Sequence, residues 1–247
     1  MKIKNGGNIV SHDGVITRIQ DVKLTESQTL KIYSLADHMQ YADPHGHAEQ
    51  LGLSSAVWPL FGLVWPSSIQ LARKLKERAV NPQEHILELG CGLGLASLSL
   101  HRRGAQVHAS DMHPRARDFL EINQALNGLS GLHYVHAQWG KQPDPALLSS
   151  LDLPPVQQQY DLIIGSDLLY ERDTPQLLAD LIQRCASPQA EVWIVDPDRG
   201  RHNVFSRAMA QHSFELVRQV CLRDRPIFGP AGEVQPYKGR CLQYSRH

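Results

Sequence analysis

The sequence predicts an α/β fold: a seven-stranded, mostly parallel sheet with an antiparallel last strand and helices on both faces. Three observations carry that prediction. From residue 66 onward, short apolar runs alternate with amphipathic segments of helical length, which is the pattern of successive βα units. A glycine-rich turn, Glu88-Leu-Gly-Cys-Gly-Leu-Gly94, joins the first of those runs to the helical segment after it. The last two apolar runs are separated by Arg223 to Gly239, rich in Gly and Pro and too short for a crossover with a full helix, so they pair antiparallel.

The predicted strands are His85 to Leu89, Gln106 to Ser110, His133 to Ala137, Asp161 to Gly165, Glu191 to Val195, Phe214 to Leu222 and Arg240 to Tyr244. The predicted helices are Ser67 to Ala79, Leu95 to Arg103, Pro114 to Leu126, Thr174 to Cys185 and Asn203 to His212, each opening near a Ser, Pro, Thr or Asn. Lys141 to Gln159, with four prolines, reads as a surface connection with about one helical turn. Residues 1–64 form an N-terminal extension before a main domain at 65–247. In the extension, Ile9-Val10 and Val15 to Ile19 flank His12-Asp13-Gly14, the chemistry of a short hairpin.

Composition narrows the function classes. At 247 residues, 42% hydrophobic and 20% charged, the chain has material for one large core, and disordered, collagen-like and disulfide-scaffold readings are out. Twenty-five Lys and Arg balance 25 Asp and Glu, so no bulk positive field holds nucleic acid or an anionic membrane. The balance is uneven along the chain: residues 199–247 carry nine basic and three acidic side chains. That segment reads as a solvated basic face or as a docking surface for an acidic partner. Cys91, Cys185, Cys221 and Cys241 form no CxxC, the 13 histidines have no zinc-site spacing, and the N-terminus lacks the apolar centre of a signal peptide. A reduced, cytoplasmic protein without a metal is expected. Gln50 to Ala72 carries no charge, yet Pro59, Pro66 and its serines and glutamines argue for a buried or cleft-lining segment, not a membrane span.

The chemistry concentrates at strand ends. In the glycine turn a side chain would hold a ligand away from the amides of the following helix N-terminus. Counting from Gly90, the spacing is GxGxG, not the GxGxxG of dinucleotide binding, and an acidic residue precedes it. Asp111 follows 21 residues after Gly90 at the end of the next strand, where a carboxylate can accept bonds from two ribose hydroxyls; its other reading is a helix cap near Pro114. Trp65 precedes a helix N-terminus, where an indole can pack on a ligand or attract a cation, or fill core, which is also the reading for Trp58. Trp139 lies just past a strand end, where parallel-sheet enzymes bind ligands, with Ala137 and Gln138 beside it.

ELGCGLG followed by Asp111 resembles the cofactor site of class I, seven-strand S-adenosylmethionine-dependent methyltransferases, whose Rossmann-like domain would span 65–247. Trp65-Pro66, Gln138-Trp139-Gly140 and Asp167-Leu-Leu-Tyr170 resemble the branch of protein lysine methyltransferases that act on chaperones, elongation factors and electron-transfer flavoprotein. The resemblance implies S-adenosylmethionine contacts from Trp65, Glu88, Gly90, Cys91, Gly92, Gly94, Asp111, Gln138, Trp139 and Ser166. It implies catalytic roles for Asp167 and Tyr170. Asp196-Pro-Asp-Arg-Gly200 is similar to a run in the electron-transfer flavoprotein branch, where Arg199 would steer an acidic substrate loop; a plain turn is its other reading.

Asp167 and Tyr170 follow the fourth predicted strand, beside the place where a nucleophile would meet a methyl group. A lysine amine has a free pKa of about 10.4 and attacks only when neutral, so its site must desolvate it and release a proton. A carboxylate at Asp167 orients the ammonium first and assists deprotonation second; its other reading is a cap on the next helix. No Pro-Cys or Asn-Pro-Pro-Tyr run follows that strand, which turns the reading away from cytosine-5 or amide and adenine N-methylation. The expected function is N-methylation of lysine side chains of a protein partner. A small amine or heterocyclic acceptor, or a non-catalytic binding module working through the basic C-terminal segment, remain the alternatives.

Overall fold

The structure, a computed structural model, describes residues 10–12, 15–223, 226–228 and 234–246. Its first elements form a three-stranded antiparallel sheet of β1 (Val10–His12), β2 (Val15–Thr25) and β3 (Gln28–Leu35). Val10 pairs with Thr17 and His12 with Val15, so the expected hairpin is present in this region; Ile9 and the turn residues Asp13 and Gly14 lie outside the described residues. The sequence reading had no counterpart for the longer β2–β3 hairpin. Then come α1 (His47–Gln50) and two short 3-10 turns at Ser55–Val57 and Leu60–Gly62.

The main sheet follows in the predicted alternation: α2 (Pro66–Lys76), β4 (His85–Leu89), α3 (Leu95–His101), β5 (Gln106–Asp111), α4 (Ala116–Leu126), β6 (His133–His136) and α5 (Pro145–Ser150). It continues through β7 (Tyr160–Ser166), α6 (Thr174–Cys185), β8 (Ala186–Asp196), α7 (His202–Gln211), β9 (Phe214–Cys221), the two-residue strands β10 (Ile227–Phe228) and β11 (Val234–Gln235), and β12 (Arg240–Arg246). The seven-stranded order is β6-β5-β4-β7-β8-β12-β9, with β4 to β8 parallel and β12 antiparallel to both neighbours. All seven predicted strands are present. The Gly- and Pro-rich connection before β12 contains the β10–β11 pair, which the sequence reading did not place, and the start of β8 was placed five residues late because Ala186 already pairs with Tyr160 ahead of a bulge.

Both sheet faces are covered, as the continuous apolar strands require. Ile86, Val107, Leu162 and Ile164 share a core with α2, α3, α4 and the N-terminal sheet. Leu87, Leu89, Ile163, Val192 and Ile194 share a second core with α6 and α7. Helix α2 ends at Lys76, three residues before the predicted Ala79. Helix α4 starts two residues late, because the Asp111 carboxylate accepts the N–H of His113 at 2.8 Å and holds that segment in a turn. Asn203 lies inside α7, whose cap position is Arg201, so it does not cap that helix. Among the described residues no helix is long and apolar enough to cross a membrane.

The chain winds from β4 to β6 in one direction and from β7 to β8 in the other. The switch point therefore falls between the carboxyl ends of β4 and β7, where open α/β sheets leave a crevice.

Candidate functional site

A cavity of about 270 Å³ opens at that switch point. Its floor is the turn after β4, its sides are the ends of β5 and β7, and its roof is the charge-free stretch that precedes α2. Gly90, Cys91, Gly92, Asp111, Trp139, Ser166, Asp167, Tyr170, Trp65 and Arg199 all line it. Two sequence-predicted residues with cofactor roles, Glu88 and Gln138, do not, and Gly94 lies just beyond its wall as the left-handed cap of α3.

The glycine turn is shaped by what surrounds it. Gly92 has φ +52°, and a Cβ there would lie 2.8 Å from the Phe61 carbonyl oxygen, a backbone atom with no room to yield. The N–H of Gly92 donates to Asp111 Oδ2 at 2.9 Å, and the N–H of His113 donates to Asp111 Oδ1. Asp111 thus ties the first turn to the second and caps no helix, since the cap position of α4 is Arg115. Burial pushes its carboxyl pKa up, against the pull of those backbone donors.

Glu88 acts from behind the turn. Its Oε2 accepts the Ser97 N–H at 2.8 Å and the Ser97 hydroxyl at 2.5 Å, holding the first turn of α3 against the loop. Complete burial, with Asp111 as a further negative neighbour, raises its pKa to about 7. Gln138 is likewise turned away. Its amide donates to the carbonyls of Leu51 and Lys141 at 3.2 and 3.0 Å, and it lines a separate hollow rather than the main cavity.

The roof supplies residues that the sequence reading did not single out. Phe61 stacks on His113 with ring centroids 3.9 Å apart and planes 11° from parallel. Burial, with Arg115 nearby, holds His113 down to about 3, and its Nδ1 accepts the Arg115 N–H, so the ring is neutral and carries its proton on Nε2. Leu53, Val57, Leu60, Leu63 and Met112 complete the apolar lining. The absence of charge from 50 to 72 was the available signal for the roof, and it identified the stretch but not its partner. Trp65 is fixed by its indole N–H, which donates to the Leu60 carbonyl at 2.8 Å, while Trp58 packs against the core as expected.

The residues after β7 and β8 supply the polar part of the lining. Asp167 follows β7 with φ +60°, its own N–H donating to the Val195 carbonyl at 2.9 Å. It caps no helix, because α6 begins seven residues later with Asp173 at its cap position. Ser67 donates to Asp167 Oδ2 at 3.3 Å and is itself within 2.9 Å of the Tyr237 hydroxyl; both are buried. Arg199 ion-pairs with Oδ1. Burial raises the Asp167 carboxyl pKa while Arg199 and Ser67 oppose the rise, and burial holds the Tyr170 hydroxyl protonated far above neutrality. Arg199 is placed by Asp196, whose Oδ2 accepts the N–H groups of Asp198 and Arg199 at 2.8 and 3.3 Å.

The set fits S-adenosylmethionine. A turn without Cβ atoms exposes backbone amides, a buried carboxylate stands at the end of β5, and neutral aromatic and aliphatic walls enclose the remainder.

Comparison with known proteins agrees. A profile of the lysine methyltransferase family matches residues 55–212. The electron transfer flavoprotein beta subunit lysine methyltransferase of Rattus norvegicus is 27% identical over 219 residues, 86% of this chain and 72% of that protein. EEF1A lysine methyltransferase 3 of Xenopus tropicalis is 26% identical over 162 residues, covering 63% and 68%. Histone-arginine methyltransferase METTL23 of Xenopus laevis is 33% identical over 138 residues, 53% of this chain and only 54% of that protein. Among solved structures, magnesium protoporphyrin IX methyltransferase from Synechocystis, with S-adenosylmethionine bound, superposes with a TM-score of 0.51 at 16% identity, covering 73% of this chain and 78% of that one. At that identity the likeness concerns the fold. The profile spans well over half of the sequence and includes the glycine turn, Asp111, Trp139, Asp167 and Tyr170: the chain belongs to the lysine methyltransferase family.

Proposed function

We propose that this protein transfers the methyl group of S-adenosylmethionine to lysine side chains of a protein, with residues 65–247 as the catalytic domain and residues 1–64 framing the acceptor side. The observation that carries the reading is that the glycine turn, the Asp111 carboxylate, Asp167 and Tyr170 line one cavity. The likeness to lysine methyltransferases of electron transfer flavoprotein and EEF1A supports a protein acceptor. The basic residues that follow β8 support one with an acidic surface.

When bound, the cofactor supplies an electrophilic methyl on a sulfonium with a good leaving group. The protein's part is then alignment and exclusion of water. Gly90 and Gly92 let backbone amides approach the ligand, Asp111 holds hydroxyl groups, and Trp139, Phe61 and Met112 close the apolar side. Asp167 receives the acceptor ammonium and fixes its direction. Desolvation among Trp65, Leu168 and Tyr170 lowers the amine's affinity for its proton, which leaves to water at the cavity mouth before transfer. The Tyr170 hydroxyl stays protonated and holds the neutral nitrogen as a hydrogen-bonding neighbour.

The test is transfer of labelled methyl from S-adenosylmethionine into a lysate of source cells lacking this protein, comparing wild type with Asp167→Ala. Label in one or a few protein bands, removed by the substitution and mapped to lysine, is the expected result. Counts confined to the low-mass fraction would overturn the protein acceptor in favour of a small amine. No transfer by a protein that binds S-adenosylmethionine calorimetrically would overturn catalysis.

A further inference from the structure

Asp167 is already occupied. One carboxylate oxygen, Oδ2, is held from the protein interior by Ser67, which is backed by Tyr237. The other, Oδ1, faces the cavity and carries the Arg199 guanidinium. The carboxylate is a fixed object: its side chain is only 10% exposed, and its backbone is pinned through Val195. Arg199 is 37% exposed, and Asp196 anchors its backbone, not its side chain. Of the two partners, the guanidinium is the one free to leave.

This arrangement conflicts with acceptor binding unless it changes. A carboxylate whose charge is neutralised by one cation has little attraction left for a second, and two cations on one oxygen repel. An acceptor ammonium can take Oδ1 only when Arg199 gives it up. Arg199 in turn would leave a partly buried ion pair only for another anion. The neighbouring surface selects for one. Arg201 and Lys238 add positive charge around the same loop, where the one carboxylate of Asp198 is shared between Arg240 at 2.6 Å and Arg223 at 3.8 Å.

We propose that Arg199 is a place-holder on the seat of the acceptor cation, released by a carboxylate that the acceptor protein carries beside its target lysine. The free enzyme is thereby held in a state that rejects stray amines, and recognition of the acidic flank and exposure of Asp167 are one event. This inference rests on the lysine-transfer reading above and adds the local sequence chemistry of the acceptor.

The test uses the full chain and three pools of 15-residue peptides, each with a central lysine flanked by Asp, Ser or Arg. Wild type, Arg199→Gln and Arg199→Glu are compared in methyl transfer and in equilibrium binding by anisotropy, after calorimetry shows that each binds S-adenosylmethionine. Wild type should bind and methylate the Asp pool about tenfold better than the Ser pool, a difference of about 1.4 kcal/mol. Arg199→Gln should lose that preference and gain several-fold over wild type on the Ser pool, because its Asp167 is open. Arg199→Glu should favour the Arg pool. Transfer without an acidic preference in wild type, or a preference that survives both substitutions, overturns the place-holder and leaves lysine transfer standing. No transfer into any pool by a cofactor-binding protein removes both.

Discussion

Glu88→Gln is predicted to stabilise the protein, and to do so only above acidic pH. The Glu88 carboxyl is 1% exposed, and burial lifts its pKa from 4.5 to about 7. Between those values the native protein holds a proton that the unfolded chain has released, so unfolding free energy falls as pH rises from 4.5 and levels off above 7. The shift corresponds to about 3 kcal/mol at about 1.36 kcal/mol per pH unit. Glutamine copies the protonated acid and keeps an acceptor for the Ser97 N–H, but it does not titrate. Wild type and Glu88→Gln should therefore match near pH 4.5, and the variant should lead by up to about 3 kcal/mol at pH 8. For a chain of this size that is about 6–12 °C in Tm. Urea titrations of both proteins at half-unit steps from pH 4.5 to 8.5 measure the difference directly. A gap that stays constant across that range, or grows towards acid, would refute the assignment of Glu88 as a buried acid whose ionisation strains the fold.

Three further outcomes follow from the site geometry. Gly92→Ala combines a left-handed backbone, costing about 1–2 kcal/mol, with a Cβ 2.8 Å from the Phe61 carbonyl. Gly104→Ala has φ +83° and no atom within 4 Å of its Cβ, so melts should fall for both but further for Gly92→Ala, and only Gly92→Ala should weaken cofactor binding in calorimetry. Asp111→Asn sets an amide NH₂ against one of two backbone N–H donors, at about 1–3 kcal/mol, or roughly a 5- to 150-fold loss of S-adenosylmethionine affinity by the same measurement. Tyr237→Phe removes the donor behind Ser67, worth about 0.5–1.5 kcal/mol. It should lower kcat two- to tenfold while leaving cofactor affinity unchanged, since Tyr237 acts through Asp167; an equal loss in cofactor binding would show a merely structural role.

The parts of the site legible in the sequence are those in which the geometry is local. The glycine turn, Asp111 and Asp167 each sit where a strand ends and the chain turns, so position along the chain fixes position in the cleft. Strands β4, β5 and β7 were placed within a residue or two for the same reason, each being a short apolar run bounded by breakers. What was missed depends on distant pairing. The exposed charges of β2 and β3 conceal a sheet whose inner face is buried against α4, where Asn123 Oδ1 accepts the Tyr33 N–H at 2.7 Å. The Phe61–His113 stack joins residues 52 apart through a roof with no periodicity of its own. Gln138 lines a different hollow from its neighbour Trp139, a division that adjacency along the chain does not reveal. Asp167 and Arg199 were each singled out, but their contact exists only because β7 and β8 are neighbours that end together.

Three acids stand at or near the carboxyl ends of β4, β5 and β7, and burial raises the pKa of all three. What separates their roles is how each is compensated. Glu88 is answered by Ser97 and Asp111 by two backbone N–H groups, donors fixed by the helix and turns that contain them. Glu88 lies outside the cavity, and a ligand hydroxyl reaching Asp111 meets oxygens whose direction the two N–H groups already fix, which suits a framework that holds a cofactor in one place. Asp167 alone is compensated on its cavity side by a long, partly exposed side chain. A cation held by a flexible arm is exchangeable, whereas a backbone N–H is not. On the proposed function, the same electrostatic need, a buried carboxylate requiring positive neighbours, thus gives fixed contacts for the cofactor and a replaceable one for the acceptor.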